Sequence, residues 1–272
     1  MRRLMQLVAG SALILIVALG AGGALAGEAP ATGAPGSTLR VGIATNYPPL
    51  AFKEDGKVTG VEAAFAEQLA KDLHVKITLV ETPWEELIPA LQQDKIDVIM
   101  SGMSITAARE KLVAFTNPYT RVSQMALYRA DDQARLRKLV KGNASSLRIG
   151  VVSGTTGEQY ARKNHSHGQV QGFASVDDGV AALRKGEVDV FVHDSPAIWR
   201  VTGGFGSPER QLVGYYEPLT EERLAWAVRT HDSKLRTRLN GVLAKWKANG
   251  ELESVLDHWI PVRKEIIRPR PK

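Results

Sequence analysis

The 272-residue chain contains no cysteine, which excludes disulfides, thiolate metal sites and a lipid-modified N-terminal Cys. After the N-terminal segment, no apolar run approaches the ~20 residues a membrane-spanning helix needs, so the mature chain is expected to be soluble. The formal charge is +6, but Lys and Arg are interspersed with Glu and Asp and form no basic stripe with aromatic interleaving, so nucleic acid is not expected as a partner. No G-x-S-x-G, Walker loop or H-E-x-x-H occurs, which leaves no nucleophile elbow, phosphate cradle or zinc helix to build on. The histidines are scattered: His165 and His167 lie in a polar segment that reads as solvated surface, with no third ligand at metal spacing. No metal, cofactor or catalytic residue is therefore expected.

What is present begins with MRRLMQLVAGSALILIVALGAGGALA (1–26). Arg2 and Arg3, an apolar middle and a small-residue ending at Ala24 to Ala26 make a cleaved secretory signal, placing the protein in the periplasm. A single membrane anchor is disfavoured because the apolar run dissolves into Gly and Ala too early. GEAPATGAPGST (27–38) reads as a flexible leader and RKEIIRPRPK (263–272) as a solvated basic tail. Asn143-Ala144-Ser145 is a chance glycosylation sequon.

Two phrases occur twice: LRVGIAT (39–45) with ALQQDKIDVIMSG (90–102), and LRIGVVS (147–153) with ALRKGEVDVFVHD (182–194). Each pair is a short β-branched run and then helix, tight turn and apolar run, the pattern of half an α/β lobe. The fold class is therefore α/β with two lobes, each a mainly parallel sheet flanked by helices. Lobe 1 is expected from 39–122 and 223–262, and lobe 2 from 123–222. The two crossings at VSQMALYRA (122–130) and LAWAVRT (224–230) make a hinge. A monomer is expected, because hinge closure needs free lobes. VEAAFAEQLAKDL (61–73) spaces Val61, Phe65, Leu69 and Leu73 for one buried helix face. TPWEELIPALQQDK (82–95) predicts a helix capped by Thr82 with Trp84 in its first turn, and 233–260 a pair of helices split at Asn249-Gly250. Asp97 and Asp189 occupy matching places in both repeats, which argues for turn structure rather than ligand binding.

In open parallel sheets ligands lie beyond the carboxyl ends of the strands. Those ends here are Thr45-Asn46-Tyr47, Ser101 to Ser104, Ser153 to Thr156 and His193-Asp194, all polar. Tyr47 and Trp84 are candidate aromatic walls, whereas Trp226, Trp246 and Trp259 follow core patterns. In GTTGEQYA (154–161) the N–H groups of Thr155 and Thr156 open a helix and make an anion-friendly wall, with a simple N-cap as the alternative. His193, beside Asp194, is a candidate pocket residue or proton donor, but an alternating strand would turn it to the opposite face. Arg121 and Gln124 lie near the hinge; an Arg121 facing the ligand would favour an anionic one.

SGMSITAAREKLVAFTNPY (101–119), with LRVGIATNYPPLAF before it, GVEAAFAEQLA (60–70) between and WKANGELESVLDHW (246–259) near the end, resembles the periplasmic solute-binding proteins of family 3, which feed polar amino acids to ABC importers. The resemblance spans nearly all of 39–260. It implies a polar L-α-amino acid as ligand, a membrane permease as transient partner, and hinge closure on binding. It implies that Arg109 receives the ligand carboxylate, a role suited to a planar guanidinium fork, with Ser104 and Gly102 completing that shell. Asp194 would accept the ammonium, and Thr155 and Thr156 would touch the carboxylate from the second lobe. Asn46, Tyr47, Trp84 and Arg121 complete the candidate set. One departure is that Ala64 stands where the family carries a second acidic residue after Glu62; at a helix start this reads as minor.

The chain is also similar to periplasmic cyclohexadienyl dehydratases in SGMSI, NPYTR (117–121) and DHW. Those enzymes need a general acid in the cleft, and Ala197 stands where the resemblance leads one to expect Glu. A sensor or autolysin module on the same scaffold is a third alternative.

Overall fold

Both copies of the repeat form a three-stranded parallel unit, and in each the same Arg–Asp pair ties the first strand to the start of the strand that follows the second helix. The computed structural model describes residues 36–140, 147–165, 168–203 and 211–261. The signal segment (1–26), the leader up to Pro35, Asn143 to Ser145, His167 and the basic tail (263–272) lie outside the described residues.

The chain runs β1 (Thr38–Ile43), β2 (Asn46–Tyr47), β3 (Ala51–Glu54), β4 (Lys57–Thr59), α1 (Val61–Leu73), β5 (Lys76–Glu81), α2 (Leu87–Gln92), β6 (Val98–Ile99), α3 (Ala107–Glu110), β7 (Ala114–Phe115) and β8 (Thr120–Val122). It continues with β9 (Gln124–Arg129), α4 (Gln133–Val140), β10 (Arg148–Val152), α5 (Thr156–Asn164), β11 (Gln169–Phe173), α6 (Val176–Lys185), β12 (Val190–Asp194), α7 (Ser195–Thr202) and β13 (Leu212–Tyr215). The return is β14 (Glu222–Leu224), β15 (Ala227–Val228), α8 (Ser233–Asn249) and α9 (Glu251–Trp259).

Two five-stranded sheets result, ordered β5-β1-β6-β15-β7 and β11-β10-β12-β9-β13. In each, the first three strands are parallel and come from one copy of the repeat, and the last two are antiparallel. The fourth strand of each sheet is the one that follows a crossing: β9 enters the second sheet just after β8, and β15 enters the first just after β14. The crossings themselves, β8 and β14, pair with each other as a two-stranded ribbon. Helices cover the central strands, so Val41 and Ile43 of β1 and all of β12 are buried without strict alternation. Phe65 of α1, Trp226 and Trp246 form one aromatic cluster in the first lobe, with Phe65 stacked on Trp246 at 5.5 Å, while Trp259 packs edge-on against Phe52.

Two local expectations are corrected. The leader ends earlier than position 38, since Thr38 already pairs with Lys76. Thr82 does not cap a helix: Pro83 holds the chain extended and precedes a single 3₁₀ turn at Trp84–Glu86, with no side-chain cap, and α2 starts only at Leu87. Pro83 itself has an extended ψ of 145°, so no helix starts at the residue after Thr82, and the Thr82 hydroxyl donates back to the Val80 carbonyl at 3.0 Å instead. The crossing segment 122–130 is likewise divided, with β8 ending at Val122 and β9 starting at Gln124.

Asp97 and Asp189 are structural, as their matched positions imply. Asp97 accepts from the Arg40 backbone N–H at 2.9 Å and from its guanidinium at 2.7 Å; Asp189 accepts from the Arg148 N–H at 2.9 Å and from its guanidinium at 2.7 Å. In return, the Asp97 and Asp189 amides donate to the carbonyls of Arg40 and Arg148, each at 2.8 Å. Burial acts to raise both carboxyls, and the Arg hydrogen bonds and charge overcome it, leaving both below the usual carboxylate range. Removing either acceptor strands a backbone N–H and a guanidinium. Asp97→Ala and Asp189→Ala should each lower the unfolding free energy by about 2–4 kcal/mol in urea melts while leaving the affinity of the folded protein for its solute unchanged; a loss of affinity with an unchanged melt would move these residues into the site.

Candidate functional site

The polar ends of β1, β6, β10 and β12 converge between the two sheets and enclose a cleft of about 410 Å³. Asn46, Tyr47, Trp84, Gly102, Ser104 and Arg109 line it from the first lobe, and Val152, Thr155, Thr156, His193 and Asp194 from the second. Four side chains cross the gap. Asn46 Nδ2 donates to the Ala174 carbonyl at 2.7 Å, Trp84 Nε1 to the Gly154 carbonyl at 3.1 Å, Arg109 Nη2 to the same carbonyl at 3.2 Å, and the Tyr47 hydroxyl to Asp194. The lobes are thus closed upon each other.

Arg109 is positioned from three sides. Its helix α3 is a single turn capped by Thr106 Oγ1, which accepts from the Arg109 amide at 3.2 Å. The guanidinium lies over the Trp84 ring at 5.1 Å, within cation–π range. Its Nη1 donates to the Ser104 carbonyl at 2.9 Å. The side chain is only 8% exposed; burial lowers its pKa, and the carboxylates of Asp194 and Glu222 oppose that. Two of its five N–H bonds are directed at carbonyls, and the planar fork remains able to meet an oxyanion. Gly154 must be glycine here: its φ of +71° is left-handed, and a Cβ would come within 3.3 Å of the Trp84 ring.

Asp194 closes β12 on the other side and is 6% exposed. The Tyr47 hydroxyl and Gln124 Nε2 both donate to it. Burial, reinforced by the nearby Glu222, pushes its pKa up to about 7, against the pull of those hydrogen bonds and of Arg109. Gln124 Nε2 lies 3.1 Å from both Thr156 Oγ1 and Glu222 Oε1, so it ties the Asp194 side of the cleft to the hinge. Thr155 is indeed an N-cap, its Oγ1 accepting from the Glu158 amide at 3.4 Å and donating to the Val152 carbonyl at 2.7 Å. It also lines the cleft, so the two alternatives at this turn hold together.

Three expectations change. Arg121 is not in the cleft. In β8 the alternation is buried, exposed, buried, and Arg121 takes the outer position, lining a separate groove behind the hinge. His193 does reach the cleft although Asp194 is its neighbour. Asp194 is both the last residue of β12 and the residue preceding α7, where strict alternation lapses. The His193 ring meets Tyr47 edge-on at 4.9 Å, and burial holds its pKa down at about 3, so the imidazole is neutral. His165 is buried rather than solvated, at 4% exposure against Tyr160.

Two functional residues were missed. Glu62, in a segment expected to be a helix start rather than a pocket wall, is fully buried; its Oε1 accepts from the Gly102 amide at 2.6 Å and the Tyr119 hydroxyl at 2.7 Å, and its Oε2 from Trp226 Nε1 at 3.0 Å. It holds the Gly102 turn, whose φ is +65° and where a Cβ would lie 2.8 Å from the Tyr47 ring. The family's acidic position was the available signal. Glu222 accepts from Ser104 Oγ and Thr220 Oγ1, each at 2.7 Å, and had no local signature at all. Among the described residues no cluster of three or more His, Asp or Glu could hold a metal.

Two α/β lobes joined by a two-stranded ribbon, with a buried cation and a buried carboxyl facing one cleft, define a two-lobed periplasmic binding protein of type II. The chain matches bacterial extracellular solute-binding proteins, family 3, over residues 39–262, and belongs to that family. It is 36% identical over 181 residues to a probable histidine-binding protein of Campylobacter jejuni, covering 66% of this chain and 67% of that one. It is 29% identical to ABC transporter arginine-binding protein 1 of Escherichia coli, covering 82% and 90%. Among solved structures, an ancestral amino acid-binding protein described as a precursor of cyclohexadienyl dehydratase superposes with a TM-score of 0.76 at 32% identity, covering 82% of this chain and 95% of that one. A lysine-complexed binding component from Wolinella succinogenes gives 0.77 at 29%, covering 82% and 95%.

Because Asp194 holds its proton more tightly in the folded protein than an unfolded Asp does, the folded state binds the extra proton between about pH 4 and 7. Its contribution therefore favours the fold at low pH and is lost as pH rises through that window, at up to about 1.4 kcal/mol per pH unit. Comparing urea melts of the protein and Asp194→Asn across this range should show the variant gaining relative stability as pH rises; parallel profiles would mean the carboxyl is ionised throughout.

Proposed function

We propose that this chain is the solute-receiving component of an ABC importer, exported to the periplasm after cleavage near Ala26, where as a monomer it binds an L-α-amino acid and presents it to a membrane permease. The observation that carries this reading is the pairing of Arg109, stacked on Trp84 and aimed into the cleft, with Asp194 on the opposite lobe. A free amino acid needs such a cation and anion at fixed separation. The α-carboxylate goes to the Arg109 fork with the Ser104, Gly102 and Thr155–Thr156 backbone around it. The ammonium goes to Asp194. Closure then follows from ligand touching both lobes at once, since a ligand shifts the open–closed equilibrium only by its preference for the closed form.

The side chain is neutral polar or cationic. Arg109, the cationic residue among those lining the cleft, is committed to the carboxylate, His193 is neutral, and Glu222 adds negative potential behind Ser104 and Gln124. With Arg121 behind the hinge, an acidic side chain has no second cation to meet. The histidine- and arginine-binding relatives and the lysine-complexed structure support the same class.

A dehydratase reading draws on the likeness to the dehydratase precursor. Against it stands Ala197, buried in α7 at the position where the dehydratase likeness leads one to expect Glu. The chain is read as a binding protein, not an enzyme; conversion of prephenate to phenylpyruvate by the purified protein would overturn that.

The direct test is thermal shift of the mature protein, refolded to strip bound solute, against the twenty amino acids, small dicarboxylates and prephenate. A ligand at a hundred times its dissociation constant should add ~2.7 kcal/mol, or roughly 5–10 °C at this size, and the largest shift is expected with arginine, histidine or lysine. Arg109→Lys keeps the charge but loses the fork, and should weaken that ligand at least ~30-fold, about 2 kcal/mol, with little change in the ligand-free melt. Equal affinity in the variant would remove Arg109 from the site.

A further inference from the structure

The ribbon that joins the lobes carries a like-charge pair on its outer face. In the antiparallel register of β8 and β14, Arg121 lies directly opposite Arg223, between the pairs Val122–Glu222 and Thr120–Leu224. Thr120, Val122 and Leu224 are buried, and Glu222 turns to Ser104 and Gln124 on the cleft side. Arg121 and Arg223 are therefore displayed together on the opposite face, both exposed. Like charges directly opposite across a ribbon destabilise it.

A third cation joins them. Lys247 from α8, with Leu252 and Glu253 of α9 and the edge of Tyr119, closes a groove of about 820 Å³ around the arginine pair. Several arginines elsewhere are matched with carboxylates: Arg40 with Asp97, Arg135 and Arg148 with Asp189, Arg162 with Glu158, Arg229 with Asp232. Against these three cations the groove wall sets one carboxylate, Glu253. Two arginines directly opposite each other on the ribbon, with a lysine lining the same groove, suit a compact anion with two or more oxygens, which a guanidinium meets bidentately.

We propose that this groove is a second binding site, for a small doubly charged oxyanion of the phosphate type, bridging Arg121 and Arg223. The site is separate from the cleft and does not depend on which solute the cleft receives. Because the two arginines stand on the two strands that pass between the lobes, the bound anion ties both crossings of the hinge together from behind.

The probe is inorganic phosphate, titrated calorimetrically into the full mature chain at pH 7.5 against sodium chloride of equal ionic strength. One saturable isotherm with phosphate and none with chloride is expected. Arg121→Gln and Arg223→Gln, each at an exposed position, should weaken it at least tenfold, and Lys247→Gln severalfold, while each keeps the far-ultraviolet spectrum and cleft affinity of the parent. Arg109→Gln, which removes the cation of the cleft, should retain it. No saturable phosphate binding, binding unaltered in both ribbon variants, or binding lost in Arg109→Gln would each overturn the proposal.

Discussion

The guanidinium of Arg109 bonds to one carbonyl from each lobe, Ser104 in the first and Gly154 in the second, and burying a charge at that seam dictates what surrounds it. An ionised group out of water must be paired and hydrogen-bonded or it is prohibitively costly. The Trp84 face, the two carbonyls and the opposing carboxyl groups of Asp194 and Glu222 meet that cost together. The rest of the cleft is organised as support. Glycine is required at 154 so that Trp84 can approach the Gly154 carbonyl, and at 102 so that Tyr47 can pass over to reach Asp194. Glu62, deep beneath the surface, accepts three hydrogen bonds that hold the Gly102 turn and two rings of the first-lobe core.

The hinge and the site are one polar network rather than two features. Gln124, the first residue of the strand that enters the second lobe, shares its amide among Asp194, Thr156 and Glu222. Glu222 belongs to the returning strand and accepts from Ser104. Each crossing thus delivers a polar side chain to the place where the two lobes meet. A change in lobe angle moves those side chains relative to one another, and the proposed ligand, bridging Arg109 and Asp194, would act on the same network. The lobes themselves are held outside this network by the repeated Arg–Asp clamps at the ends of their central strands. That separation lets a rigid sheet sit beside a movable seam.

Much of this architecture was legible in the chain. The repeated LR(V/I)G(I/V) and (I/V)DV phrases announced two like halves, and the matched places of Asp97 and Asp189 marked them as scaffold, which their pairing with Arg40 and Arg148 bears out. The chemistry expected of Arg109 and Asp194 came from residue type and family likeness, and both line the cleft. The misreadings share a cause. Arg121, His193 and His165 were judged from their own segment, by alternation or polarity of neighbours, while their environment is set by the partner strand, by the start of the next helix or by a packed ring. Thr82 had the composition of a capping box and was overruled by the proline beside it.

What the sequence determined by itself is local and periodic: two α/β halves, helix faces that bury Phe65 and Leu69, and strand ends that are polar. Only the tertiary structure decided which of those polar ends share one cleft, that Glu222 and Gln124 belong with Asp194, and that Arg121 turns its back on the site. Periodicity specifies a side chain's direction relative to its own helix or strand. The distance between residues a hundred positions apart depends on how two crossings bend and how two sheets face, and that is settled by packing and by the burial of charge across the seam, which no single segment encodes.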